Sequence, residues 1–429
     1  MFTLSGRRLV TALVSASFLA CGSAAGQDAV PAPGLAASTP VPLSLPEAIR
    51  QALERHPELR AARHGVTADE AALDQAGRLP NPELAWLREG QQAGARTTTV
   101  QINQPIELGG KRQARVALAE ETLGLARTEL ALRRQALRAD VIEAWTSALV
   151  AQERRQLAES MAELARKSFD TVSRRVAAGK VSPIEAGKAR LAQADAQAEL
   201  ARADAELAIA RNRLGLLAGT PAATRPLDGS TAVLPELAPL DALLQQLDGA
   251  PALRRARGQL ALQQARTGVE RAARMPDLTL SLGTQRDDDA GRRQAVVGVA
   301  IPLPLFNRNR GNLAAALART EQARDELDAA RLAATAELQA AWTRYGQAKS
   351  EAALLERELV PEARKLYDLT LTGFEYGKFG FLEVLDAQRS WFQARSRQWQ
   401  AMLDAWRAHA QIERLVGPEV GWAPRAHQD

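Results

Sequence analysis

One plan is written twice along this chain, and that duplication constrains the fold more than any other feature. "RHPELRAAR" (Arg55 to Arg63) returns as "GAPALRRAR" (Gly249 to Arg257), and "RLPNPELAW" (Arg78 to Trp86) as "AARMPDLTL" (Ala272 to Leu280). "QINQPIELGGKR" is matched by "GVAIPLPLFNRNR", which pairs Pro105 with Pro302, and "EAWTSAL" by "AAWTRYG", which pairs Trp145 with Trp342. Finally "VAAGKVSPIEAGKA" (Val176 to Ala189) meets "FEYGKFGFLEVLDA" (Phe374 to Ala387), so that Gly179-Lys180 faces Gly377-Lys378 and Glu185 faces Glu383. Ordered landmarks at a slowly drifting offset are what a duplication with small loop insertions leaves behind. The expected organisation is therefore a repeat over 46–218, a linker over 219–238, a second repeat over 239–417 and a tail over 418–429.

Each repeat reads as two helices (Leu45 to Leu79; Leu240 to Met275), two strands, a very long helix, a Gly-Lys break and a returning helix. In the first long helix Val116, Leu123, Leu130 and Leu137 recur every seven residues, and Leu118, Leu125 and Leu132 do so on a neighbouring face. A seven-residue period imposes a left-handed supercoil, and two parallel seams call for neighbours on both sides. From Gly110 to Ala178 such a helix runs about 100 Å at ~1.5 Å per residue. Its partner, Arg308 to Thr372, contains Pro361, which predicts a kink or a local interruption of the hydrogen bonding. Composition agrees: aromatics make up 4% of the chain, while Ala, Leu, Arg, Gln and Glu fill long blocks.

The strand segments alternate. Leu84 and Trp86 share a face; Thr98, Val100, Ile102 and Gln104 alternate with Thr99, Gln101 and Asn103; Leu278, Leu280 and Leu282 alternate with Thr279, Ser281 and Gly283; Ala295, Val297, Val299, Ile301 and Leu303 face one way. Segments of about ten residues with one apolar side fit membrane β-strands, or else two hairpins lying on a helical body. Four strands cannot close a barrel, and an open edge in lipid leaves backbone groups unsatisfied. A membrane-spanning reading therefore requires a dimer or a trimer.

Residues 1–25 read as an export signal: Arg7 and Arg8, the apolar run Leu9 to Ala20, then small residues suited to cleavage. The Pro- and Ala-rich stretch within 26–45 reads as a leader. The single cysteine, Cys21, lies in the signal, so it is either a lipidation site or is lost on cleavage, and the mature body forms no internal disulfide. The 55 basic and 50 acidic residues are interspersed, which argues against nucleic-acid binding. The four histidines show no metal-ligand spacing, and neither a nucleophile–base constellation nor a phosphate loop marks an enzyme. No cofactor is expected.

The duplicated plan, the "NPEL" strand entry, "QPIELGGKR" leading into a long helix, and "YGKFGFLEVLDAQR" resemble the TolC-type outer-membrane efflux family; "ELGGKR" is most similar to its CzcC-like heavy-metal branch. The resemblance spans about 43–418. It implies a mainly α fold with a membrane β-barrel: a homotrimer whose twelve strands close one barrel in outer-membrane lipid and whose helices continue as a coiled-coil barrel through the periplasm. It implies no enzyme, but the exit duct of a tripartite pump, with a periplasmic adaptor (membrane fusion) protein and an inner-membrane resistance-nodulation-division transporter. Cobalt, zinc or cadmium is the implied cargo. Drugs or organic solutes in the same duct, or a periplasmic coiled-coil protein without a pore, are the competing readings.

The Gly-Lys breaks would then be the periplasmic tips. Gly179, Lys180 and Val181 in one copy, and Gly377, Lys378, Phe379, Gly380 and Phe381 in the other, are expected to present small and apolar groups for adaptor docking. Glu185, Glu383 and Asp386 just beyond them become carboxylate rings in a trimer, able to hold cations, or serve only as charges suited to helix N-termini. Asp287, Asp288 and Asp289 attract cations at an outer mouth or are simply a solvated hairpin. Trp86 belongs to an interfacial aromatic belt or to ordinary packing.

Overall fold

The computed structural model describes residues 42–90, 96–219, 226–229, 234–288 and 290–417. The expected signal, Cys21, nearly all of the leader, most of the loop Gln91 to Arg96, Asp289 and the tail lie outside the described residues.

Two helices open the chain, α1 (Leu45–Arg55) and α2 (Pro57–Ala76), followed by strands β1 (Glu83–Glu89) and β2 (Thr97–Ile106). Helix α3 (Lys111–Ala177) is a single element of 67 residues, and α4 (Pro183–Ala218) returns beside it. The order then repeats with α5 (Leu240–Leu247), α6 (Pro251–Ala272), β3 (Leu278–Asp287), β4 (Arg292–Ala300), α7 (Arg310–Leu354), α8 (Val360–Glu375) and α9 (Phe381–Val416). Proline stands in the first turn of α1, α2, α4 and α6, where its missing N–H costs nothing and its fixed φ suits helix entry.

The second long helix is not continuous. Between α7 and α8 lies a π-helical turn, Leu355–Leu359. Pro361 follows at once; it has no amide to give and its ring crowds the carbonyl four residues back, so the chain widens by a turn rather than breaking. Helix α3 has no proline and runs through.

The four strands form one antiparallel sheet in the order β1-β2-β3-β4. The central pairing joins the two halves: Ile102 opposes Leu282 and Val100 opposes Thr284. Leu84 opposes Ile102, and Leu282 opposes Val297. Four separately alternating segments thus merge their apolar sides into one continuous face.

Below the sheet, two cores mirror each other. One gathers Leu45, Ile49, Trp145, Leu149 and Leu214; the other gathers Leu243, Leu247, Leu338, Tyr345 and Ile412. The duplicated tryptophans do parallel work. Trp145 donates its indole N–H to the Leu43 carbonyl (3.5 Å) and Trp342 to that of Ala238 (3.4 Å), so each anchors the segment that enters the first helix of its half. Leu43 also makes a parallel bridge to Leu227. Gly229, at φ 154°, lies where a Cβ would stand 2.4 Å from the Trp145 ring, so the linker needs glycine there.

Candidate functional site

Three regions carry the candidate functional residues: the sheet, the strand-to-helix junctions and the helix tips. On the sheet, Leu84, Val100, Ile102, Leu282, Val297 and Val299 are exposed on one face. The opposite face carries Thr99, Gln101, Asn103, Ser281, Gln285 and Gln294, interrupted by Leu87 and Val296. One intruder on the apolar face, Gln104, is neutralised locally: its amide donates to the carbonyls of Pro80 (3.1 Å) and Pro105 (2.9 Å). Both outer strands, β1 and β4, pair on one side only. Trp86 lies in the same cross-strand row as Val100 and Thr284, exposed and near the end remote from the helices.

The "ELGGKR" junction is a structural device. Gly109 and Gly110 both adopt positive φ (70° and 75°), and a Cβ on Gly109 would meet Met275 at 2.6 Å. Lys111 then pairs with Asp277 of the other half (2.7 Å), which also accepts the Leu108 amide (3.2 Å), and Arg115 pairs with Glu107 (2.5 Å). In the second half Asn309, at φ 54°, makes the same left-handed entry and donates its side-chain amide to Glu270. Asparagine tolerates this conformation where most side chains do not.

At the tips the two Gly-Lys breaks are the same motif. Gly179 (φ 69°) and Gly377 (φ 73°) end their helices in the left-handed conformation. Gly179 N–H donates to the Val176 carbonyl and Lys180 N–H to that of Arg175, both at 2.9 Å. Gly377 N–H donates to the Phe374 carbonyl (3.0 Å) and Lys378 N–H to that of Gly373 (2.8 Å). These are paired Schellman caps, which consume carbonyls the helices would otherwise leave bare. The returning helices start differently. Ser182 accepts the Ile184 amide, whereas Gly380 has no capping side chain and the Glu383 carboxylate folds back over it.

Not all tip residues are presented outward. Phe379 is 49% exposed, but Phe381 is only 4% exposed and Val181 half-buried. Phe381 packs with Val172, Ala189, Phe374 and Val384, its ring 5.9 Å from that of Phe374. The expectation that Phe381 is displayed at the tip is therefore corrected: as the first residue of α9 it turns inward, because the two hairpins must share a core where they meet. Phe379 instead lies across Gly373, where a Cβ would come within 2.1 Å of its ring.

Glu185 pairs with Lys188 (3.2 Å), while Glu383 and Asp386 are exposed and have no ion-pair partner among the described residues. In the strand hairpin Asp287 accepts the Ala290 amide (3.3 Å) and Asp288 pairs with Arg286 (3.2 Å), so these carboxylates hold the turn. Among the described residues no group of His, Cys, Asp and Glu could hold a metal ion. Among the described residues no helix is long and apolar enough to cross a membrane.

One side chain that joins the two tips is not marked by any motif. Arg175, in the last turn of α3, donates to the carbonyls of Phe374 and Glu375 (both 3.3 Å) and stacks 4.8 Å over the Phe374 ring. It caps the other half's helix and ties the two tips together. The available signal was only a basic residue in a final helical turn, and many surface arginines share that.

The model of the outer membrane efflux protein family matches this chain twice, over residues 48–220 and 243–418. A cobalt-zinc-cadmium resistance protein of Cupriavidus metallidurans is 41% identical over 411 residues, covering 95% of this chain and 98% of its own length. A nickel and cobalt resistance protein of the same organism is 31% identical over 69% of this chain and 72% of its own. Among solved structures, a membrane protein from Pseudomonas aeruginosa superposes with a TM-score of 0.75 at 25% identity, covering 89% of this chain and 95% of that one.

Proposed function

The chain belongs to the outer membrane efflux protein family, and from that premise we propose that it is the outer-membrane exit duct of a tripartite pump that expels heavy-metal cations. The observation that carries this is the sheet. It joins an apolar face to a polar one and ends in two unpaired strand edges, on a body whose helix α3 is about 100 Å long at ~1.5 Å per residue. Such a sheet satisfies its backbone in lipid only by closing with other copies, and three copies bring twelve strands. The helices supply matching unpartnered seams: Ile184 and Leu191, Ile209 and Leu216 on α4, and Leu359 and Leu366, Leu369 and Tyr376 across α8, are exposed at seven-residue spacing. In the trimer the polar face lines the channel. The halves are 46–218 and 239–417, joined by 219–238.

The partners in this reading are a periplasmic adaptor and an inner-membrane resistance-nodulation-division transporter. The adaptor docks on Gly179, Lys180, Gly377, Lys378, Phe379 and Gly380, which are exposed, with Val181 and Phe381 supporting them from beneath. Asp386 and Glu383, exposed and lacking ion-pair partners among the described residues, are the better candidates for a cation-holding ring; Glu185 is engaged by Lys188. The metal cargo is favoured by the relatives' names, cobalt-zinc-cadmium and nickel-cobalt resistance.

Deleting the gene in a host without a compensating relative should lower tolerance to cobalt, zinc or cadmium. Restoring the chain should recover it, and restoring it with Gly377 and Lys378 replaced should not, although the trimer still reaches the membrane. Unchanged metal tolerance with a gain in dye sensitivity would reassign the duct to organic solutes.

A further inference from the structure

The sheet register assembles something the individual strands do not display. One cross-strand row contains Arg88, Thr98, Arg286 and Arg293, contributed by β1, β2, β3 and β4 in turn. All three arginines are exposed. The row lies on the apolar face, immediately beyond the row of Trp86, Val100, Thr284 and Ala295. Arg286 and Arg293 stand directly opposite each other, an arrangement of like charges that costs sheet stability unless something neutralises it. Asp288, in the turn just beyond β3, pairs with Arg286 at 3.2 Å, but Arg88 and Arg293 have no ion-pair partner among the described residues. Arg96 stands one step farther out, where its carbonyl accepts the Asp288 amide (2.9 Å).

The height of the row is equally specific. The apolar face runs from Leu278 to Thr284 along β3 before the arginines begin. From Leu278 to Arg286, at ~3.4 Å per residue and a tilt of about 40°, this spans about 20 Å of bilayer, close to the apolar band of a membrane barrel. The arginines therefore emerge where hydrocarbon gives way to headgroups, just above an indole, the side chain suited to that boundary.

We propose that this row grips the phosphate groups of outer-leaflet lipids, binding a phosphorylated glycolipid headgroup between Arg88 and the Arg286–Arg293 pair. This rests on the reading of the sheet as a membrane wall. A phosphate accepts paired hydrogen bonds from planar guanidinium groups and cancels their mutual repulsion. Because β1 and β4 are the sheet's two edges, each protomer boundary in a closed barrel brings Arg293 of one copy toward Arg88 of the next, so the grip continues around the rim.

The test uses the full assembled chain in nanodiscs of phosphatidylcholine containing equal minor fractions of diphosphoryl and dephosphorylated lipid A. Lipids retained after mild detergent extraction are counted by mass spectrometry. The phosphorylated form should be retained about five- to tenfold over the other, the order given by two or three exposed charge pairs. In R88Q/R286Q/R293Q the ratio should fall to near one. The single variants R88Q and R293Q, each at an exposed strand position, should lower it partway and serve if the triple variant does not insert. A wild-type ratio near one, or an unchanged ratio in the variants, overturns the proposal. So does a ratio erased by inorganic phosphate at matched concentration, which would make the row a site for free anions. A chain that never enters the nanodisc overturns the membrane-wall reading instead.

Discussion

Replacing Arg175 with methionine tests whether the two tips are latched. The change keeps the aliphatic stem, which packs near Phe374, and removes the guanidinium. Two charge-assisted hydrogen bonds at 3.3 Å and one stacking contact at 4.8 Å are lost. Charged hydrogen bonds contribute about 1.5–3 kcal/mol when well formed. These are long and half-exposed, so about 0.5–1 kcal/mol each is appropriate. An exposed cation–π contact adds ~0.5 kcal/mol. Local opening of the end of α8 should therefore become easier by about 1.5–2.5 kcal/mol, or ~10- to 60-fold in its equilibrium constant. The amides that report it are those of Tyr376, Gly377 and Lys378, which bond back to Thr372, Phe374 and Gly373. Hydrogen exchange of this turn in the purified protein should accelerate by that factor, while the turn at Gly179 changes little. Lysine at 175 should recover only part of the protection, because a point charge neither bridges two carbonyls nor stacks as a plane. Wild-type exchange in R175M would refute the latch and leave Arg175 as an ordinary surface arginine.

Four further expectations follow from the same geometry. Alanine at Gly377 should lower thermal stability by about 1–2 kcal/mol, the cost of a left-handed residue with a Cβ, and asparagine should cost less; since no atom lies within 4 Å of the added Cβ, equal penalties for both would show the cost is not conformational. Alanine at Gly373 should expel the Phe379 ring and, if the tips dock an adaptor as proposed, weaken that binding as much as Phe379→Ala does, measured on immobilised adaptor; normal binding would remove Phe379 from the proposed docking surface. Arginine at Leu282, on the apolar face, should cost ~2–4 kcal/mol of membrane stability, whereas arginine at Ser281 on the polar face should be tolerated, as assembly in vesicles would register. Burial pushes the Glu413 carboxyl above its ordinary value, only partly offset by Arg138 at 3.2 Å. The stability this carboxyl contributes as the neutral acid is complete below the ordinary carboxylate range and is lost as pH rises through its raised value. Glu413→Gln should thus gain on the wild type as pH increases through that window and converge with it at low pH; a difference flat in pH would reject this.

How far the sequence carries depends on the range of the interaction. Heptad seams, the proline in a helical run and the glycine breaks are local, since periodicity and backbone freedom act within a turn or two. Helix α3, the disturbed stretch before Pro361 and both tip turns were accordingly legible, as were the apolar and polar sides of every strand. The Trp145–Trp342 pair was visible as a repeat, yet its work, anchoring Leu43 and Ala238, was not. Asp287 and Asp288 read as a charged cluster, and only the hairpin geometry shows them holding a turn.

Exposure at the tips marks the boundary. Phe379 and Phe381 stand two apart in one short segment and looked alike in sequence. One lies across Gly373 and the other enters the core shared with Val172 and Ala189, because where α9 begins is set by how the two hairpins pack. The inward turn of Phe381, the reach of Arg175 to the other half's carbonyls and the alignment of Arg88, Arg286 and Arg293 all join residues far apart in the chain. By itself the sequence determined the elements, the duplication and the amphipathic faces, each a matter of neighbours and periods. The tertiary structure alone decided which faces meet, since strand register and helix docking are settled by contacts between the halves that no local pattern encodes.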